Sequence, residues 1–315
     1  MKRNIHKLKE ELSKHIIGHS SLIDALLIGL LCEGHILIEG LPGLAKTTAV
    51  NTLAKAIGLD FKRVQFTSDL LPSDILGAEV YHPKTESFVL KKGAIFTNLL
   101  LCDEINRASA KVQSALLEVM QEKQVTIGEH SFKVGNPFLV LATQNPIEQE
   151  GTYALPEAQL DRFMMKVLVG YNTEAQEFEI AKKVANNTFE HVTQIIVHNE
   201  LKQMQKEVQE IYIDDALTTH IIRLVFATRN PKKYGLDSLE DIIEFGASPR
   251  ASIDMIKAVK ASAYLRENDT VSPIDIALCI KNILRHRIVL SYDALADDVR
   301  VDDVIDTIIQ SVEPI

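Results

Sequence analysis

Residues 36–48 read Ile-Leu-Ile-Glu-Gly-Leu-Pro-Gly-Leu-Ala-Lys-Thr-Thr, and this stretch decides the fold. Ile36-Leu37-Ile38 is a continuous apolar run, as a strand buried on both faces requires. Glycines follow at Gly40 and Gly43, and Lys46 then opens a helical stretch that Gly58 stops. A strand that turns through glycines into a helix can wrap backbone N–H groups around an anion, and the helix dipole adds positive potential. The pattern G-x-x-x-x-G-K-[ST], Walker A, is met except that Ala45 stands for the second glycine. Alanine accepts helical dihedrals at the point where the loop becomes helix. Lys46 brings an ammonium to the outer phosphates, and the Thr47 hydroxyl suits Mg²⁺. The expected nucleotide contacts are therefore Gly40, Leu41, Pro42, Gly43, Leu44, Ala45, Lys46, Thr47 and Thr48. Ile17 and Gly18 are candidates for the wall of the base pocket, a wall that an adenine or a guanine could stack on. A glycine turn without a ligand is the plain alternative, and the Lys-Thr pair at the helix start argues against it.

A second run, Leu99-Leu100-Leu101-Cys102-Asp103-Glu104, is an apolar strand ending in two acids. Desolvated carboxylates at such a place need compensation, and Mg²⁺ supplies it. In this Walker B reading Asp103 contacts the ion, directly or through water, and Glu104 orients and polarises the attacking water. A second acid favours hydrolysis over transfer to a substrate hydroxyl. The expected cofactors are ATP and Mg²⁺.

Bulk properties bound the rest. A chain of 315 residues exceeds what one core usually holds, so two domains are expected. Lys plus Arg number 34 and Asp plus Glu 43, giving 34 − 43 = −9, which weighs against non-specific nucleic-acid binding as the main task. No apolar run reaches the roughly 20 residues a bilayer span needs, and Lys2-Arg3 leads into a polar stretch rather than a signal-peptide core. Three distant cysteines, Cys32, Cys102 and Cys279, fit free thiols in a reducing, cytoplasmic setting.

From Gly34 to about residue 170, short apolar strands alternate with amphipathic helices, among them Ala110–Glu122 with Ser109 as its cap. This predicts a parallel sheet covered on both faces. Residues 76–95, around Tyr81-His82-Pro83-Lys84, and 124–134, around Gly128, interrupt the alternation as expected hairpin inserts, either bland or in contact with a substrate or a neighbouring subunit. After about residue 190 helical signals dominate, with Ser248-Pro249 and Ser272-Pro273 as helix starts. The expected division is an αβα nucleotide-binding core over 1–190 and a small helical domain over 191–315.

The words between these landmarks are particular: QFTSDLLPSDILG at 65–77, DEINRA at 103–108, SALLEVMQEKQV at 114–125, ATQNP at 142–146, GTYALPEAQLDRF at 151–163 and GASPRA at 246–251. Together they resemble the MoxR family of AAA+ ATPases, in order, from about Ile16 to the C-terminus. The resemblance implies a P-loop NTPase fold with an αβα core, a parallel sheet, two inserted hairpins and a following all-helical lid. It implies a homo-oligomeric ring, usually of six, with ATP held between subunits. By motif match Asn145 is the sensor of the attacking water or γ-phosphate, Arg162 the finger offered to a neighbour's ATP, and Arg250 the second sensor, in cis or in trans. Each arginine has a structural ion pair as its plain alternative. Arg107 is a lesser candidate for contact with a neighbour. The family is thought to act as chaperones on protein clients, often with a partner carrying a von Willebrand factor A domain.

Three other functions share parts of this pattern. A DNA translocase conflicts with the −9 charge. A small-molecule kinase conflicts with Glu104 beside Asp103. A chelatase-type subunit shares the core and depends on partners outside this chain.

Overall fold

Four apolar runs and the mixed run Phe61–Gln65 assemble side by side into one parallel sheet. In the computed structural model, which describes residues 2–41, 44, 46–146, 152–186 and 188–313, the strands run in chain order as follows. They are β1 (Ile36–Gly40), β2 (Phe61–Gln65), β3 (Gly77–His82), β4 (Ser87–Lys92), β5 (Leu99–Asp103), β6 (Gln124–Ile127), β7 (His130–Lys133), β8 (Leu139–Gln144) and β9 (Met165–Val169). The sheet order is β2-β5-β8-β1-β9, every neighbouring pair being parallel.

The inner strands β5, β8 and β1 are largely apolar because both faces are covered, whereas the edge strand β2 is polar at Lys62, Arg63 and Gln65, and the twofold alternation of side chains sorts them. Leu37, Leu100, Cys102, Val140 and Ala142 enter one core with the helix Ala110–Glu122. Ile36, Ile38, Leu99, Leu101, Leu139 and Leu141 enter the other, which continues through the helices Lys2–His15, Ser20–Cys32 and Lys46–Ile57 into the C-terminal helices. Ser20–Cys32 is buried at nine of its positions from Leu22 to Leu31. It is apolar nearly all round because it lies between the sheet and the helix Pro249–Leu265.

His35, at the foot of β1, ties three elements together. Its Nδ1 accepts from the Val140 N–H at 3.0 Å, and its Nε2 faces the Met120 carbonyl at 3.1 Å. Burial pushes the imidazole down to about 4, so it sits here as a neutral Nε2–H tautomer.

Both expected inserts are antiparallel hairpins, β3–β4 and β6–β7. The first exposes Tyr81 and Phe88, whose rings meet edge to face with centroids 5.5 Å apart. Beyond residue 190 the chain is helical, as expected, apart from a short antiparallel pair, β10 (Ile243–Phe245) with β11 (Val289–Leu290). Ser248 caps its helix by accepting from the Arg250 N–H at 3.1 Å. Ser109 stands at the cap position of Ala110–Glu122 with no cap hydrogen bond from its side chain, so that helix owes its place to the buried face of Val112, Leu116, Val119 and Met120.

Candidate functional site

The sheet order changes direction beside β1. The chain leaves β1 for the far edge at β2, works back through β5 to β8, then crosses to β9 on β1's other side. Ligands in open α/β sheets bind at such a switch point, outside the carboxyl ends of the strands. The register aligns those ends: Gly40 stands opposite Val169, Glu39 opposite Gln144, and Gln65 opposite Asp103. A Cβ on Gly40 would lie 2.4 Å from the Val169 carbonyl oxygen, so the strand end admits only glycine without a shift.

A cavity of about 280 Å³ opens there, lined by Gly40, Leu44, Lys46, Thr47, Thr48, Arg63, Gln65, Asp103, Glu104, Thr143, Gln144 and Asn145. The structure therefore brings together the strand-end acids, the lysine and threonines of the loop, and Asn145, which come from separate parts of the sequence. Of the other loop residues expected to touch a nucleotide, Leu41 is half-buried beside Gly40, and Pro42, Gly43 and Ala45 lie outside the described residues. Lys46 donates to the Gly40 carbonyl. Burial pulls its pKa down, and Asp103, Glu104 and Glu39 oppose that pull.

The acids are held by neighbours on adjacent strands. The Thr143 hydroxyl accepts from the Glu104 N–H at 2.9 Å and donates to Asp103 Oδ1 at 3.3 Å. Arg63 Nε donates to Asp103 Oδ2 at 2.5 Å. Glu104 Oε2 accepts from Gln65 Nε2 at 2.8 Å and pairs with Arg107 Nε at 2.9 Å. Glu104 has φ 56°, in the left-handed region. Non-glycine residues there carry strain, which concentrates at functional sites. Reading from sequence missed Arg63, Gln65 and Thr143. The signal available was the polar content of Phe61–Gln65 and ATQNP, but only the register puts these side chains beside the acids. Two carboxylates and the Thr47 hydroxyl are hard oxygen donors of the kind Mg²⁺ takes.

A second cavity of about 500 Å³ shares Leu44 and Thr48 with the first and is also lined by Ile17, His15, Asn172 and Phe189. Gly18 adjoins it with φ +85°, and a Cβ there would meet Asn172 Oδ1 at 2.2 Å. Asn172 Oδ1 and His15 Nε2 are buried polar atoms with no hydrogen-bond partner, a lining that suits the polar edges of a planar base.

Arg162 and Arg250 do not line the phosphate cavity of their own chain. Arg162 donates to the Leu117 carbonyl at 2.9 Å. Its neighbour Asp161 is a hub: it accepts from Arg250 at 3.3 Å, from Ser248 at 2.8 Å and from Arg287 at 2.9 Å. Arg287 also pairs with Asp254 at 2.5 Å, and its side chain is 1% exposed. Arg162 adjoins Asp161 in the chain and Arg250 bonds to it, and neither lines the cavity at Gly40.

Comparison with known proteins follows the same lines. Residues 35–165 match the ATPase family associated with various cellular activities (AAA), and residues 239–308 match the AAA lid domain. The chain is 46% identical over 311 residues to the chaperone MoxR1 of Mycobacterium tuberculosis, spanning 98% of this chain and 82% of that protein. It is 32% identical to the protein MoxR of Paracoccus denitrificans, over 88% of this chain and 86% of that one. A crystal structure of a candidate ATPase from Cytophaga hutchinsonii superposes with a TM-score of 0.94 at 48% identity, covering 99% of this chain and 95% of the other.

Proposed function

The chain belongs to the MoxR family of AAA+ ATPases, and from that premise we propose that it hydrolyses ATP with Mg²⁺ between subunits of a ring, usually of six, and uses the cycle to remodel a partner protein complex. The observation that carries this reading is the cavity in which Lys46, Thr47, Asp103, Glu104 and Asn145 converge at the carboxyl ends of β1, β5 and β8.

In this reading the loop from Gly40 to Thr48 cradles the phosphates, and Lys46 neutralises the outer ones. Thr47 and Asp103 hold Mg²⁺, which supplies charge neutralisation on the transferring phosphoryl group. Glu104 Oε2 takes its line from Gln65 and Arg107 and orients the attacking water. Asn145 touches that water or the γ-phosphate. The second cavity takes the base against Ile17 and Gly18. Arg162, which does not line the cavity of its own chain, is then the finger given to the next subunit. Arg250, tied to Asp161, acts from the same side. The exposed Tyr81 and Phe88 of the first hairpin are placed to grip a client. A partner carrying a von Willebrand factor A domain belongs to the same proposal.

The test is ATPase rate per subunit against protein concentration, with Mg²⁺, for the wild type and Lys46→Ala. A specific activity that climbs with concentration and vanishes in the variant is the expected result. A rate independent of concentration over a range where the chain is monomeric would refute a site completed between subunits.

A further inference from the structure

At the other end of the sheet, below the amino ends of the strands, lies a cleft of about 680 Å³ that the nucleotide chemistry does not use. Glu33 lies just before β1, Asn136 just before β8, and Lys123 just past the helix Ala110–Glu122. Two helices complete the walls. His198–Glu210 contributes Lys202 and Lys206, and Pro249–Leu265 contributes Lys257 and Lys260.

Five of the twelve lining residues are lysines and one, Glu33, is an acid, in a chain whose net charge is −9. Glu33 is already paired with Lys123. Lys260 crosses between the helices to donate to the Gln209 carbonyl at 3.0 Å. Among the described residues Lys202, Lys206 and Lys257 have no ion pair. Three of the four carboxylates on the same helices are committed elsewhere, the fourth being Glu210 at the end of its helix. Glu200 accepts from the Val197 N–H at 2.9 Å, Glu207 from the Tyr264 hydroxyl at 2.6 Å, and Asp254 from Arg287 at 2.5 Å. Like charges one helical turn apart, as at Lys202 and Lys206, disfavour their helix. The cleft therefore gathers positive charge, and a bound anion would relieve the repulsion between its lysines.

We propose that this cleft is a second anion site that takes a compact oligophosphate. Its volume falls in the range of small-ligand pockets, about 300–1,000 Å³. Lysines without arginine suit a multiply charged anion of any geometry, because an ammonium acts as a point charge and an arginine fork selects planar carboxylates. An acidic peptide matches less well. An extended chain rises about 3.3 Å per residue and points alternate side chains one way, so its carboxylates are spaced more widely than the charges of a compact oligophosphate. The inference is independent of the ATPase reading, since none of these lysines lines either nucleotide cavity.

The experiment is calorimetric titration of the full chain carrying Lys46→Ala with inorganic tripolyphosphate. Binding should persist in that background, weaken with added salt, and fall at least tenfold when Lys202, Lys206 and Lys257 are all changed to alanine. These three side chains are exposed, so the triple variant, made without Lys46→Ala, should keep its unfolding midpoint and basal ATP turnover. ATP in place of tripolyphosphate, in the Lys46→Ala background, assigns the source. Comparable binding supports a nucleoside-borne oligophosphate, and tighter binding of tripolyphosphate supports a free one. Loss of binding with Lys46→Ala alone, or no change in the triple variant, would overturn the proposal. So would displacement of tripolyphosphate by a glutamate-rich peptide at lower concentration, which would give the cleft to an acidic partner protein.

Discussion

Replacing Glu104 by Gln removes one negative charge and almost no volume. In the structure Glu104 Oε2 accepts from Gln65 Nε2 at 2.8 Å and pairs with Arg107 Nε at 2.9 Å, while its N–H is fixed on Thr143 at 2.9 Å. A glutamine keeps the backbone bond and one side-chain oxygen, so the loop keeps its shape. It can no longer polarise water as a base. A positioned general base is worth about 10²–10⁴ in rate, equivalent to roughly 3–5 kcal/mol of barrier at 1.36 kcal/mol per decade. Nucleotide affinity should change little, because Lys46, Thr47 and the N–H groups of the loop are untouched. Single-turnover hydrolysis with excess protein, beside equilibrium binding of a fluorescent ATP analogue, separates the two quantities. The expected outcome is retained binding with turnover lowered by two to four decades. Turnover within threefold of wild type at equal occupancy would refute the role given to Glu104. Weakened binding in step with turnover would refute the claim that cradle and base are separable.

Four further expectations can be checked. Lys46→Ala should raise the Kd for ATP by at least tenfold without lowering the thermal midpoint, because among the described residues the Lys46 ammonium bonds only to the strand-end carbonyl of Gly40; unchanged affinity would sink the phosphate-cradle reading. Arg162→Ala should abolish turnover alone and regain it in rings mixed with Lys46→Ala subunits, and failure in verified mixed rings counts against an arginine acting in trans. Asp161→Ala should destabilise the fold by about 3 kcal/mol or more, since it strips one partner from an Arg287 side chain that is 1% exposed; a urea midpoint shift worth less than about 1 kcal/mol would contradict the hub. His35 has a folded pKa near 4 against 6.5 in the unfolded chain. The unfolded state therefore binds the proton first, and the stability His35 contributes is complete above pH 6.5 and lost as pH falls toward 4. The full loss is roughly 3 kcal/mol at 1.36 kcal/mol per pH unit. Urea titrations at pH 7 and pH 5 should show the decline, and His35→Gln should make it shallower, the remainder coming from His19, His220 and His286, whose pKa values burial also lowers.

The parts legible in the sequence are those whose information is local. Ile36–Gly40 followed by Lys46–Ile57 announces a strand, a glycine turn and a helix within a score of residues, and the apolar run ending in Asp103-Glu104 is equally self-contained. The first hairpin could be read from its turn residues Tyr81 to Lys84 and the second from alternation around Gly128. Such features are set by periodicity and turn chemistry, which act between near neighbours. Tertiary structure alone decided what surrounds the acids. Arg63 and Thr143 each lie 40 residues from Asp103, and they meet it because β2, β5 and β8 are adjacent in register. A one-residue slip would turn those side chains to the opposite face. The same holds for Arg287, which reaches Asp161 across 126 residues, and for the lysine cleft, whose charges come from three separated segments. Charge carries no periodic signature when its members sit on different elements. It becomes a site only when the packing of apolar faces, which knows nothing of those charges, brings the elements together.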